Sequence, residues 1–384
     1  MTNQRDRDKH RLLVLTNIPA PYRIPVFNRL AQSGLLLNVC FLAPTEPGRK
    51  WALAVDDIRF EWRFLNNSNR FLSSSLNEVR AAAALVRFLV LYRPRTIICG
   101  DYNSIAAWVS LVWCKLFRRR VVLWLESNTR DDRKPGVSKT WLKTLFVTKA
   151  DGIAAAGQAA IDYVKGLGAR QEQIFLAPIS TDTDFFAREA AKVRPIEEKQ
   201  RLGYPDRLIL YSGRLVRKKG VFVLLEAFRG IAAELENVGL LVVGHGPEQD
   251  AMMAFCRSAD LKHVYFLGPR QYQEMPYSYA LADVLALPTF SDPWGLVVNE
   301  AFACGVPAVV SRVAGACDDL IIDGETGFAV TPGDAAELAD RILRILKEPA
   351  LRSRMKANCR TLIKKNSTEA CAQGLLVAAL GAHD

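Results

Sequence analysis

The sequence predicts a two-domain α/β protein, each domain a doubly wound parallel sheet. Three observations lead there. Short apolar runs of strand length alternate with longer stretches of helical periodicity from Leu12 to Leu380. The alternation begins afresh after the polar, proline-containing segment Glu189–Gln200. The 384 residues exceed what one ordinary core organises. These place a first domain over 1–188 and a second over 189–366, with 189–200 as linker.

In the first domain, Leu12–Leu15 reads as a buried strand. It leads into TNIPAPYRIPVF, whose prolines Pro19, Pro21 and Pro25 force an extended loop before a helix from Val26. The loop after a first strand faces the ligand crevice of such sheets, so Tyr22 and Arg23 are candidates to face a ligand. Strands follow at Leu37–Leu42, Thr96–Cys99, Val121–Leu125, Gly152–Ala155 and Ile174–Ala177, with Arg59–Leu65 at an edge. Helices are expected over Asn77–Leu91, Ser104–Phe117, Lys139–Thr148 and Ala159–Gly166. Asp101 and Glu126 stand at carboxyl ends of strands. A loop over Thr129–Lys134 carries charges of both signs.

The second series has strands at Leu208–Tyr211, Leu240–Val243, Val264–Leu267, Val284–Leu287 and Ala308–Ser311. Its helices are expected at Val221–Leu235, Glu248–Ser258, Met275–Ala280, Leu296–Cys304, Ala335–Lys347 and Leu351–Lys365. GETGFAV supplies a turn and a strand, and a last helix covers Glu369–Leu380.

Net charge is +11 and the pI about 9.3, which suits an anionic partner. The eight cysteines show no paired spacing, so buried free thiols are expected rather than a disulfide or zinc framework. No apolar stretch reaches the roughly 18 residues of a membrane span, and the run after the polar N-terminus is too short for a signal core. A cytoplasmic protein is expected. No nucleic-acid-binding motif appears.

Three stretches carry chemistry. In YSGRLVRKKGVFVLLEAF, Gly213 permits a tight turn, and Arg214 and Lys219 flank a loop that opens a helix. Two cations there suit a diphosphate, Arg as a fork and Lys as a point charge; the alternative is a basic solvated turn. In SDPWGLVVNEAFACGVPAVVS, Asp292 precedes a helix containing Glu300, and Gly305 can take the left-handed position that ends it. The alternative is a loop aspartate and a solvated helix glutamate. In VVGHGPEQDAM, Gly244 and Gly246 permit close ligand approach and Pro247 opens a helix. His245 is given no catalytic role.

Asp-x7-Glu followed by AFACGVP, together with Gly-Arg-x4-Lys-Gly, resembles the retaining nucleotide-sugar glycosyltransferases of family four, of the glycosyl transferases group 1 type. That resemblance implies the GT-B fold: two Rossmann-like domains facing an interdomain cleft, with 367–384 crossing back to the first domain. It implies a nucleotide-diphospho-sugar donor, an acceptor hydroxyl on a glycan or lipid-linked glycan, and retention of configuration. Arg214 and Lys219 then neutralise the leaving diphosphate, Asp292 holds the donor sugar and Glu300 the ribose. Gly268, Pro269 and Arg270, in YFLGPRQYQEMP, match the family's nucleobase loop. Gly213, Gly244, Gly246, Trp294, Gly295, Leu296 and Val297 complete the donor-binding set. PISTDTDFF resembles the hinge phrase before the second domain, and its Asp182 and Asp184 are read as structural rather than as a metal motif. No metal or other cofactor is required when two side-chain cations hold the diphosphate.

Two departures matter. The first acid is Asp292, where the family has Glu. None of His10, His245, His263 and His383 lies in a crevice loop of the first domain, where many members place one. Asp101 or Glu126 is left to position the acceptor. A nucleotide-sugar 2-epimerase on the same fold, or a non-enzymatic basic membrane- or nucleotide-binding protein, are the alternatives. Trp108, Trp113, Leu116 and Phe117 beside Arg118–Arg120 make peripheral contact with an anionic membrane surface, on the inner face of the cell membrane, a further expectation; the alternative is a core helix with a basic end.

Overall fold

A computed structural model describes residues 11–45, 55–66, 75–128 and 137–381. His10, His383, the polar N-terminus and the expected loop Thr129–Lys134 lie outside the described residues. The chain forms two compact units: the first holds residues to 180 and from 368 onward, the second holds 181–367.

The first unit is built on a seven-stranded sheet in the order β3-β2-β1-β4-β5-β6-β7. Its strands are β1 (Arg11–Thr16), β2 (Leu36–Phe41), β3 (Glu61–Phe64), β4 (Thr96–Cys99), β5 (Arg120–Leu125), β6 (Gly152–Ala155) and β7 (Ile174–Leu176). All pairings are parallel. Successive side chains of a strand point to opposite faces, and here both faces are apolar. Leu13 and Leu15 pack with the helices Ser75–Tyr92, Ile105–Leu116 and Val137–Lys149. Leu12 and Val14 pack with the helices Ile24–Ala31 and Thr368–Leu380. Strands covered on both sides read as continuous apolar runs, which is why they were legible.

The last helix, Thr368–Leu380, returns to this first unit. It lies so close to β7 that a Cβ on Gly374 would sit 2.1 Å from the Leu176 carbonyl oxygen. Gly374→Ala should therefore push the helix off the sheet and cost about 1–3 kcal/mol of stability. A lowered urea midpoint checks this; an unchanged midpoint would mean the helix shifts freely.

The second unit has a six-stranded parallel sheet in the order β10-β9-β8-β11-β12-β13. Its strands are β8 (Arg207–Ser212), β9 (Val238–Val243), β10 (Val264–Gly268), β11 (Val284–Leu287), β12 (Ala308–Ser311) and β13 (Gly327–Val330). The helices Val221–Glu234 and Ala335–Lys347 pack against each other over one face.

The expected linker is not a linker. Residues 189–200 fall within the second unit, whose boundary lies at 180/181 rather than 188/189. Helices Thr183–Ala191 and Pro195–Leu202 run through the segment. Pro195 sits in the first turn, where its missing N–H costs nothing, so it opens a helix instead of breaking one. Phe186 anchors the first of these helices, fully buried against Tyr272 and Tyr279. A helix over Gly315–Leu320 was not foreseen. The helix expected over Leu351–Lys365 ends at Leu362 and tightens into a 3-10 turn.

All eight cysteines are free and buried. Burial pushes the thiols of Cys40 and Cys371 up to about 12. Among the described residues, no helix is long and apolar enough to cross a membrane.

Candidate active site

In an open parallel sheet, ligands bind beyond the carboxyl ends of the strands where the strand order reverses. In the second unit that point lies between β8 and β11. The loop after β8 carries Arg214 and Lys219, and the loop after β11 carries Asp292.

The two loops are sewn together. Phe290 N–H donates to the Lys218 carbonyl at 2.8 Å, and Thr289 Oγ1 donates to the same oxygen at 3.2 Å. Gly220, at φ 70°, opens the Val221–Glu234 helix. A Cβ there would lie 1.8 Å from the Pro288 carbonyl oxygen, so only glycine fits. Across this seam Lys219 Nζ donates to Asp292 Oδ2 at 2.6 Å and to the Ser291 carbonyl at 3.2 Å. Asp292 Oδ1 accepts from Trp294 N–H at 3.3 Å. Lys219 and Asp292, expected to serve different parts of a ligand, are thus an ion pair, with side chains only 13% and 19% exposed.

Arg214 is exposed, and its carbonyl accepts from Tyr211 Oη at 2.9 Å. The buried Tyr211 hydroxyl is pushed well above its usual range, by burial first and then by the Asp292 charge.

Gly244 and Gly246 are expected to permit close ligand approach. Their space is taken by the chain itself. A Cβ on Gly244 would meet the Gly213 carbonyl oxygen at 1.9 Å, and one on Gly246 the Leu215 carbonyl oxygen at 2.3 Å. Leu215 N–H donates to the His245 carbonyl at 3.0 Å, and Gly244 N–H to that of Gly268 at 2.9 Å. Gly213, Gly244 and Gly268 therefore form one backbone-to-backbone row. Pro269 and Arg270 beyond it are exposed, with Arg270 3.8 Å from Glu274.

Trp294, placed among the donor contacts, is buried, and its indole N–H donates to Asn299 Oδ1 at 2.7 Å. It braces the turn through Gly295, whose φ of 100° suits glycine. The helix that follows spans only Val297–Ala303, so its dipole is small. Leu296 and Val297 are half-buried. Gly305, at φ 76°, stops the helix as the sequence implied.

Glu300 is not a solvated helix residue. It is buried, and Tyr279 Oη donates to its Oε2 at 2.6 Å. Burial raises its carboxyl to about 7, and the Tyr279 hydrogen bond only partly opposes this. Sequence reasoning missed Tyr279 and Tyr272; an aromatic in an amphipathic helix gives no local sign that it will cover a carboxylate. Tyr272 Oη lies 2.9 Å from Thr181 Oγ1 and accepts from Asp182 N–H at 3.1 Å. Asp182 caps the Thr183–Ala191 helix by accepting from Phe185 N–H at 3.0 Å, in keeping with a structural role.

In the first unit the strand order reverses between β1 and β4. Asp101, after β4, is spent on its own turn. Its Oδ1 accepts from the backbone N–H of Asn103 at 2.8 Å and of Ser104 at 2.7 Å, and its Oδ2 from Ser104 Oγ at 3.1 Å. Ser104 in turn caps the Ile105–Leu116 helix. Glu126, after β5, differs. Its Oε1 accepts from Arg23 Nη2 at 2.6 Å, while its side chain keeps 28% exposure. Arg23 also donates to Thr16 Oγ1 at 2.5 Å and lies 4.5 Å over the Trp124 ring.

Known proteins share part of this chain's sequence, and others share its fold. The alpha-D-kanosaminyltransferase of Streptomyces kanamyceticus is 30% identical over 182 residues, 47% of each chain. The phosphatidyl-myo-inositol mannosyltransferase of Mycobacterium leprae is 34% identical over 162 residues, 41% of this chain and 42% of that one. The chain thus spans about half the length of such relatives. Anabaena HepE in complex with UDP superposes with a TM-score of 0.76 at 20% identity, covering 95% of this chain and 98% of that one. Sucrose-phosphate synthase of Thermosynechococcus elongatus gives 0.76 at 21%, over 97% and 100%. At those identities the likeness shows the fold, the GT-B pair of Rossmann-like domains. The family model described as Glycosyl transferases group 1 matches residues 193–362, which is most of the second unit.

Proposed function

We propose that the chain is a glycosyltransferase that moves a sugar from a nucleotide-diphospho-sugar to an acceptor hydroxyl with retention of configuration. The observation that carries this reading is the Lys219–Asp292 pair held across the switch point of the unit that the group 1 model matches. Lys219, with the exposed Arg214 on the same loop, supplies positive charge where a diphosphate would leave, the kind of electrostatic stabilisation that often dominates catalysis. Asp292 positions both Lys219 and a sugar hydroxyl. Glu300 accepts from the ribose. The Anabaena HepE structures hold UDP, alone or with glucose, and a donor of that kind is the first to test. The acceptor is a glycan or lipid-linked glycan.

Of the two first-unit carboxylates, Glu126 is the one we assign to the acceptor. Asp101 has both oxygens committed to its turn, whereas Glu126 keeps an oxygen free of Arg23 and retains exposure. A thermal-shift panel of uridine, guanosine and adenosine diphosphates tests the donor, since a ligand that binds only the folded state at a hundredfold its Kd adds about 2.7 kcal/mol. No shift with any of them would overturn the reading. Glu126→Gln should lower kcat while leaving nucleotide affinity intact. Asp101→Asn should instead cost about 1 kcal/mol of stability through its lost caps and leave turnover near wild type. The reverse pattern would transfer the acceptor role to Asp101.

A further inference from the structure

We propose that the outer face of the helices Ser75–Tyr92 and Ile105–Leu116 in the first unit docks on an anionic lipid surface. The two helices are neighbours on the same layer. Each exposes apolar side chains beside its charged ones. On the first, the outward stripe is Val79, Val86 and Val90, spaced at helical repeats, all between 42% and 53% exposed. On the second it is Val112 and Leu116, at 54% and 73%, continued by Phe117 at 54%. Trp141, on the adjoining Val137–Lys149 helix, is 63% exposed. Single exposed apolar residues are ordinary, but contiguous ones on adjacent helices mark an interaction face.

Charge decides the occupant. Residues 75–119 contain seven basic residues and two acidic ones. Arg80 and Arg87 flank the valine stripe on the exposed side. Arg118, with φ of 51°, ends the second helix and is exposed beside Phe117. Of the acids, Glu78 is half-buried and Asp101 is tied to its own turn. Lys115 is the one cation of the second helix already paired, to Asp151 at 2.6 Å. A second copy of this chain would bring the same positive charge against itself. An anionic bilayer supplies both an apolar interior for the valines and leucine and phosphates for the arginines. The expectation of a membrane-facing Trp108–Phe117 segment is thereby redrawn: Trp108 turns inward, its indole N–H donating to the Tyr102 carbonyl at 3.1 Å, and the valine stripe of the preceding helix takes its place.

The test uses the full chain with vesicles of phosphatidylcholine alone and of equal parts phosphatidylcholine and phosphatidylglycerol. Cosedimentation is expected with the anionic vesicles only, weakening as salt is raised. Each arginine near such a surface is worth about fivefold in partitioning, so Arg80→Gln/Arg87→Gln/Arg118→Gln should lose about a hundredfold. Val112→Ser/Leu116→Ser should also release the chain, with an unchanged melting temperature showing that the fold is intact. The proposal fails if neither vesicle is bound. It also fails if the arginine variant binds as wild type does, or if sedimentation velocity shows a dimer that Val112→Ser/Leu116→Ser dissolves. None of these readouts depends on transfer activity.

Discussion

Replacing Lys219 by methionine should lower transfer by about two to three orders of magnitude, the usual cost of losing a preorganised electrostatic group. The same change should destabilise the second unit. Asp292 would keep only the 3.3 Å contact from Trp294 N–H to offset a largely buried charge. Breaking a fully buried pair costs about 3–5 kcal/mol, and the residual exposure of this one places the loss below that range. Lys219→Met combined with Asp292→Asn separates the two effects. It removes the stranded charge, so stability should return while activity stays low. Denaturant midpoints and transfer kinetics on the three variants decide. A double variant as unstable as Lys219→Met would mean that the pair does not govern the seam between the loops. Asp292→Asn alone frees Lys219, so it should change diphosphate affinity as well as turnover, unlike a group that touches only the sugar.

Glu300→Gln should strengthen the fold and weaken the ligand. The folded carboxyl is raised from 4.5 to about 7 by burial. Between those values the folded chain keeps a proton that the unfolded chain has released, so stability falls as pH rises and the loss is complete above about pH 7. It amounts to about 3 kcal/mol. Glutamine preserves an acceptor for Tyr279 and removes the buried charge. The variant should therefore melt higher than wild type at pH 8 and match it near pH 4.5. Removing a charged acceptor from a ribose hydroxyl should at the same time cost about 1–3 kcal/mol of binding. Calorimetry with uridine diphosphate and melting curves across that pH range give both numbers. Equal melting at every pH would show that the carboxyl titrates normally. An unchanged affinity would remove Glu300 from the ligand site and leave it a structural group under Tyr279.

The central strands were legible because they are covered on each side, so each advertises itself as a nearly unbroken apolar run, whereas the edge strand β3, with Glu61 and Arg63 exposed, does not. The switch-point loops were legible too, because glycine, basic and acidic residues punctuate them. What local sequence could not hold was who pairs with whom. Lys219 and Asp292 are 73 positions apart, and only the adjacency of β8 and β11 brings them together. The burial of Glu300 depends on Tyr279 from another helix and on Phe186 and Tyr272 packed beside it, none of which leaves a mark near residue 300. Gly244 and Gly246 announce a close approach without naming its partner, and the partner is the β8 loop. The segment 189–200 misled because its exposed helices are as polar as a linker, and the deciding contact, Phe186, lies upstream of it.

The eight buried thiols divide evenly: Cys40, Cys99, Cys114 and Cys371 belong to the first unit, and Cys256, Cys304, Cys317 and Cys359 to the second. A thiol reacts as its thiolate and only when reached, so alkylation of the native chain waits on local opening. The molecule therefore carries its own set of clocks, four to each unit. Peptide mapping of a timed alkylation would show, without any engineered probe, which unit opens first, and whether the Thr368–Leu380 helix bearing Cys371 peels away before the sheet it covers.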